Sequence, residues 1–81
     1  MQNQIISSAK ILGQTIKAFR ERKGLTQKEL ADLVGVKQST VSNIETASGD
    51  VRLSTLFRLM SALEADMTFS ERKKHSNQDA W

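Results

Sequence analysis

The tetrapeptide Thr26-Gln27-Lys28-Glu29 limits what this chain can fold into more than any other stretch of it. Threonine followed three residues later by glutamate forms a capping box. The hydroxyl accepts the N–H of the glutamate, and the carboxylate reaches back to the N–H of the threonine. Leu25 and Leu30 stand at the positions where two apolar side chains staple the entering backbone. A helix therefore begins at Gln27, carries Leu30, Ala31, Leu33 and Val34, and stops at Gly35. Only Gly35, Val36 and Lys37 separate it from a second amphipathic segment, Gln38 to about Glu45, whose buried side is Val41 and Ile44.

The remaining elements are read outward from this pair. Ser8 can cap a first helix running to about Lys23, on which Leu12, Ile16 and Phe19 recur at helical spacing as one apolar face. Gly13 costs that helix about 1 kcal/mol relative to alanine, which close packing against another helix would explain. Gly24 ends it in the left-handed conformation open to glycine. After a looser stretch, Thr46 to Arg52, Ser54 is expected to cap a fourth helix reaching about Glu64. Its inner stripe is Leu56, Leu59, Met60 and Leu63, widened by Leu53 and Phe57. The stripe is broader than one small core requires, and either a well-covered core or a subunit interface accounts for it. From Asp66 to Ser70 the period falls to two, with Met67 and Phe69 on one side, which reads as a short strand. A lone strand leaves its backbone groups unpaired. The same strand of a second subunit is the expected partner, with Thr68 between the two apolar residues. Residues 1–7 read as a flexible arm, 8–70 as the domain, and 71–81, ending at Trp81, as a flexible polar tail.

Composition removes several classes of function. With 81 residues there is room for one domain, and a core of that size stabilises its fold weakly without a disulfide, a metal or a partner. The chain has no cysteine and one histidine, His75, so neither a disulfide framework nor a usual zinc site is expected. Dimerisation is the expected stabiliser. No apolar run approaches the roughly 18 residues of a membrane span, and no basic residue precedes Ile5-Ile6 as a signal peptide would require. The expected location is the cytoplasm. The net charge of +3 is unevenly spread. From Lys17 to Lys37, six cations (Lys17, Arg20, Arg22, Lys23, Lys28, Lys37) stand against Glu21, Glu29 and Asp32. From 38 to 70, Arg52 and Arg58 stand against Glu45, Asp50, Glu64 and Asp66. That asymmetry suits one face turned to a polyanion, although solvated basic faces are common.

Two short helices joined by a three-residue turn built on glycine make a helix-turn-helix. Ala31 is small where the helices cross, and Gly35 permits positive φ in the turn. The free face of the second helix offers Gln38, Ser39, Ser42 and Asn43, preceded by Lys37. Amides and hydroxyls donate and accept without strong charge, which suits base edges and phosphates. The plainer alternative is a helical hairpin with a polar surface.

Residues 12–64, and above all the run GLTQ-x-ELA-x-x-x-GV-x-Q-S-T-V-S-x-I-E, resemble the Xre/Cro-type repressors. The resemblance implies an all-α, lambda-repressor-like fold of four helices. It implies base contacts from Lys37, Gln38, Ser39 and Ser42, and phosphate contacts from Gln27, Thr40 and Asn43, to which the basic Lys28 is added. It further implies that Arg20 and Glu45 form a structural ion pair and stay out of the DNA contacts. Gln38 can bond an adenine in bidentate fashion, and Lys37 suits guanine O6 and N7.

The segment LEADMTF, residues 63–69, and the terminal tryptophan resemble the HipB-type antitoxins. In those proteins such strands pair across the homodimer, and the protein represses its own operon and binds a HipA-type kinase toxin. The resemblance implies dimer contacts from Met67, Thr68 and Phe69, to which Phe57 of the broad fourth-helix stripe is added, and Trp81 as a candidate toxin contact. The two-fold symmetry of such a dimer calls for a palindromic double-stranded operator. A stand-alone Xre-type regulator without a toxin is the alternative. No cofactor and no catalytic residue is expected. His75 lies in the tail beside Lys73 and Lys74, Glu29 is used by its cap, and no glycine-rich phosphate loop is present.

Overall fold

The computed structural model describes residues 4–72. Four helices follow one another: α1 over Ala9–Arg22, α2 over Gln27–Val34, α3 over Gln38–Thr46 and α4 over Leu53–Ala62. No strand occurs among the described residues.

Each of the first two helices begins as its sequence dictates. The Ser8 hydroxyl accepts the Ile11 N–H at 3.1 Å and opens α1. At α2 both halves of the capping box are made: Glu29 N–H to Thr26 Oγ1 at 3.0 Å, and Thr26 N–H to Glu29 Oε1 at 2.8 Å. Gly24 and Gly35 follow α1 and α2 at φ of 73° and 82°. The later helices depart from expectation. Ser54 does not cap α4; the helix starts at Leu53 after Arg52, which makes no side-chain cap, and Ser54 lies inside the first turn. The ends of α3 and α4 are closed by Ala47 at φ 58° and Glu64 at φ 55°, both left-handed without being glycine.

Ile16, Leu30, Ala31, Val41, Ile44, Leu56, Leu59, Met60 and Leu63 form one core, with Leu12, Phe19, Leu25, Val34 and Val36 packed against it. Helix α3 packs against both α1 and α2, and α4 lies against α2. The low-propensity Gly13 has a packing reason. A Cβ there would collide with the backbone carbonyl oxygens of Ile44 and Glu45, the latter at 2.7 Å. Its absence lets α1 press on the last turn of α3.

Residues 65–72 leave α4 without regular structure. The strand expected at about 66–70 is not formed within the chain, because a ladder needs a neighbouring backbone. Of the broad α4 stripe, Leu56, Leu59, Met60 and Leu63 are buried, whereas Leu53 and Phe57 are 69% and 51% exposed. One core is therefore filled without those two. Residues 1–3 of the expected arm and residues 73–81 of the expected tail, Trp81 included, lie outside the described residues.

Candidate nucleic-acid interface

The polar face of α3 is presented by the way its other side is buried. Successive helical residues turn by about 100°, so burying Val41, Ile44 and Glu45 directs Ser39 and Asn43 away from the core. Gln38 and Ser42 then lie on one flank and Thr40 on the other. Gln38, Ser39 and Asn43 are exposed, while Ser42 and Thr40 are half-buried. Thr40 and Asn43 also border a cleft whose other walls are Ala9 and Leu12 of α1 and the Ser48–Val51 connection. Lys37 is the exposed N-cap residue of α3, and its side chain makes no cap bond there.

Both ends of α3 are anchored. At the front, Gly35 and Val36 donate their N–H groups to the Ala31 carbonyl at 2.8 and 3.0 Å, which tightens the turn from α2. At the back, Glu45 is buried on the ion pair that the resemblance implied. Arg20 donates from Nε to Glu45 Oε2 at 2.6 Å and from Nη2 to Oε1 at 3.1 Å. Its Nη1 holds the Leu25 carbonyl at 2.7 Å, just before α2. The hydrogen bond to Glu45 raises the Arg20 pKa above the usual arginine value, outweighing the burial that pulls it down. Removing one partner of such a pair leaves the other charged and dry, a loss of about 3–5 kcal/mol.

Gln27 is half-buried at the first position of α2, and its Nε2 donates to Glu45 Oε1 at 3.0 Å. That contact joins residues 18 positions apart and has no local signature. The role of Arg58 has no local signature either: from α4 its Nη1 donates to the Val34 carbonyl at 3.1 Å. A cation on the last carbonyls of a helix favours its negative end, but the pairing is visible only once α4 is seen to cross α2.

The basic half of the sequence is less free than its composition suggests. Arg20 is spent on Glu45, Lys23 on Glu64 and Lys28 on Asp32, and Arg22 stacks over the Phe19 ring at 4.9 Å. The Lys23 ammonium holds the exposed Glu64 carboxyl below the usual carboxylate range. The Lys28–Asp32 pair is solvent-exposed at 3.0 Å, the kind of contact worth little and readily exchanged for a phosphate. Lys37 has no ion-pair partner among the described residues. Among the described residues, no group of acidic, histidine or cysteine side chains could hold a metal, and no helix is long and apolar enough to cross a membrane.

Comparison with known proteins agrees with this geometry. The helix-turn-helix family matches residues 16–69. Antitoxin HipB of Escherichia coli strain K12 is 38% identical over 76 residues, covering 94% of this chain and 86% of that protein. A chain from the structure of a HipA-HipB-O2-O3 complex superposes with a TM-score of 0.79 at 38% identity, over 88% of this chain and all (100%) of the other. The restriction-modification controller protein C.AhdI of Aeromonas hydrophila superposes less well, with a TM-score of 0.68 at 33% identity over 72% of this chain and 88% of its own. The chain belongs to the Xre-type helix-turn-helix family and, over nearly its whole length, to the family of the HipB antitoxins.

Proposed function

We propose that this protein is a sequence-specific DNA-binding repressor and the antitoxin of a toxin–antitoxin pair, working as a homodimer in the cytoplasm, on the nucleoid, with no catalytic role. The observation that carries the DNA reading is the α3 face: exposed amides and hydroxyls on a helix fixed at both ends. Lys37, Gln38, Ser39 and Ser42 read base edges in the major groove, and Gln27, Lys28, Thr40 and Asn43 grip the phosphates on either side. A two-fold dimer then requires a palindromic operator with half-sites about 10 base pairs apart or a multiple of that. Phe57, Met67, Thr68 and Phe69 make the subunit contact, with residues 66–70 pairing as strands across the two-fold axis.

The antitoxin part rests on likeness along nearly the whole chain to HipB, whose structure is described as a HipA-HipB-O2-O3 complex. The partner is accordingly a HipA-type kinase, with Trp81 as its candidate contact. The protein would thereby repress its own operon and restrain the toxin. The likeness of 72% of this chain to a restriction-modification controller favours the second reading, a regulator without a toxin.

Affinity capture of the tagged protein from its host, followed by mass spectrometry, separates the two. Recovery of a stoichiometric kinase-like partner that is lost when Trp81 is deleted is the expected result. Recovery of the dimer alone, still shifting its promoter fragment, would leave only the regulator.

A further inference from the structure

Glu45 is buried and does three things at once, and only two of them serve the ion pair. Its Oε2 accepts from Arg20 Nε, and its Oε1 accepts both from Arg20 Nη2 and from Gln27 Nε2. A side-chain amide has two N–H donors on one end and an acceptor oxygen on the other, and its neighbours decide which way it faces. A carboxylate accepts only, so Glu45 forbids the flipped amide, in which oxygen would meet oxygen. One Gln27 N–H is thus spent inward. The second remains on the same nitrogen, at the first residue of α2, where the leading backbone N–H groups of a helix have no partner within it. Without Glu45, the Gln27 amide could turn its oxygen outward and repel an anion.

We infer that Glu45 is a positioning residue for DNA binding: it fixes the Gln27 amide so that the free N–H faces the phosphate backbone. Glu45 touches no DNA itself. It ties the grip at the front of α2 to the back of the recognition helix α3, so the two contact a duplex as one rigid unit. The inference rests on the DNA-binding reading above.

The test is a double-mutant cycle on a duplex selected from a random pool by the wild-type protein. The four proteins are wild type, Gln27→Ala, Glu45→Gln and the double variant, each checked by circular dichroism at the assay temperature. With Gln27 present, Glu45→Gln is expected to weaken binding on the order of tenfold, the scale of one charge-assisted hydrogen bond. With Ala at position 27 the loss is expected to be several-fold smaller, because no amide is left to orient and only the loosened Arg20 anchor of α3 remains. An equal loss in both backgrounds would make Glu45 a structural group only and overturn the inference, while the DNA-binding reading stood. Failure of the wild type to retain any duplex would overturn that reading and the inference with it. Should Glu45→Gln not fold, side-chain amide exchange in the wild-type protein decides. One Gln27 Nε2 proton is expected to exchange well below the rate of the exposed Gln14 amide, and equal rates would overturn the inference.

Discussion

At the scale of single residues, two small side chains act in opposite senses. Gly13 looks like a defect in α1, since alanine is worth about 1 kcal/mol more at an exposed helical position. The last turn of α3 occupies the space a methyl group would need, and the obstructing atoms are backbone carbonyls that cannot swing aside. Gly13→Ala is therefore expected to destabilise the fold despite the propensity gain, by about 1–3 kcal/mol as overpacking commonly does. Ala47 presents the converse case. It closes α3 at φ 58°, with its N–H bonded to the Ile44 carbonyl at 3.2 Å and the Ser48 N–H to the Asn43 carbonyl at 2.8 Å. Holding an L-residue there costs about 1–2 kcal/mol that glycine avoids, and glycine loses part of that advantage through its freer unfolded chain. Ala47→Gly is expected to raise stability by up to about 1 kcal/mol. Urea titration of both variants checks the pair; a Gly13→Ala protein as stable as the parent would mean that α1 and α3 are not in contact as described.

At the scale of elements, the two halves of the interface should fail differently. Gln38 lies on the exposed flank of α3, where only base edges would distinguish an amide from a methyl group. Gln38→Ala is expected to cost about 1–3 kcal/mol on the preferred operator and much less on others, relaxing the preference. Lys28, paired with Asp32 on the surface, carries charge but no sequence information. Lys28→Ala is expected to weaken all duplexes alike and to reduce the salt dependence of binding by about one counterion per protomer. Selection from a random pool and a salt titration separate the outcomes; an unchanged consensus for Gln38→Ala would remove it from the base contacts. These elements differ in how plainly the sequence announces them. The start of α2 was readable because its capping signal spans four residues and involves nothing else. The end of α2 was readable because Gly35 takes a conformation that most residues avoid. The end of α3 was not, because Ala47 is held left-handed by backbone bonds rather than by its own preference. The start of α4 was misplaced because Ser54, a good cap in isolation, is overridden where the first turn packs, burying Thr55 and Leu56. The Gln27–Glu45 bond leaves no trace in the sequence because it exists only after α2 and α3 have docked.

At the scale of the whole molecule, the unfinished part is the outer face of α4. Leu53 and Phe57 are one helical turn apart, on the same side, and exposed beside a core that is complete without them. Met67 and Phe69, in the segment that leaves α4, are 45% and 95% exposed. Scattered exposed apolar residues need no explanation, but a run of them along one helix and its continuation in so short a chain points to a surface that is covered in use. A second copy is the occupant that also accounts for residues 66–70, whose backbone forms no ladder among the described residues, since a two-fold axis brings like strands together. Phe57→Glu tests this because its consequences split by scale. Within one protomer Phe57 is a surface residue, so the isolated fold should change by no more than about 0.5 kcal/mol. Across a two-fold axis the change would set two carboxylates against each other in an apolar contact. Sedimentation should then show a folded monomer where the parent is a dimer. Operator affinity should fall by about 100-fold or more, because the second half-site is no longer bound from within the same assembly. A variant that stays dimeric and binds as the parent does would place the subunit contact elsewhere and leave the outer face of α4 for the toxin.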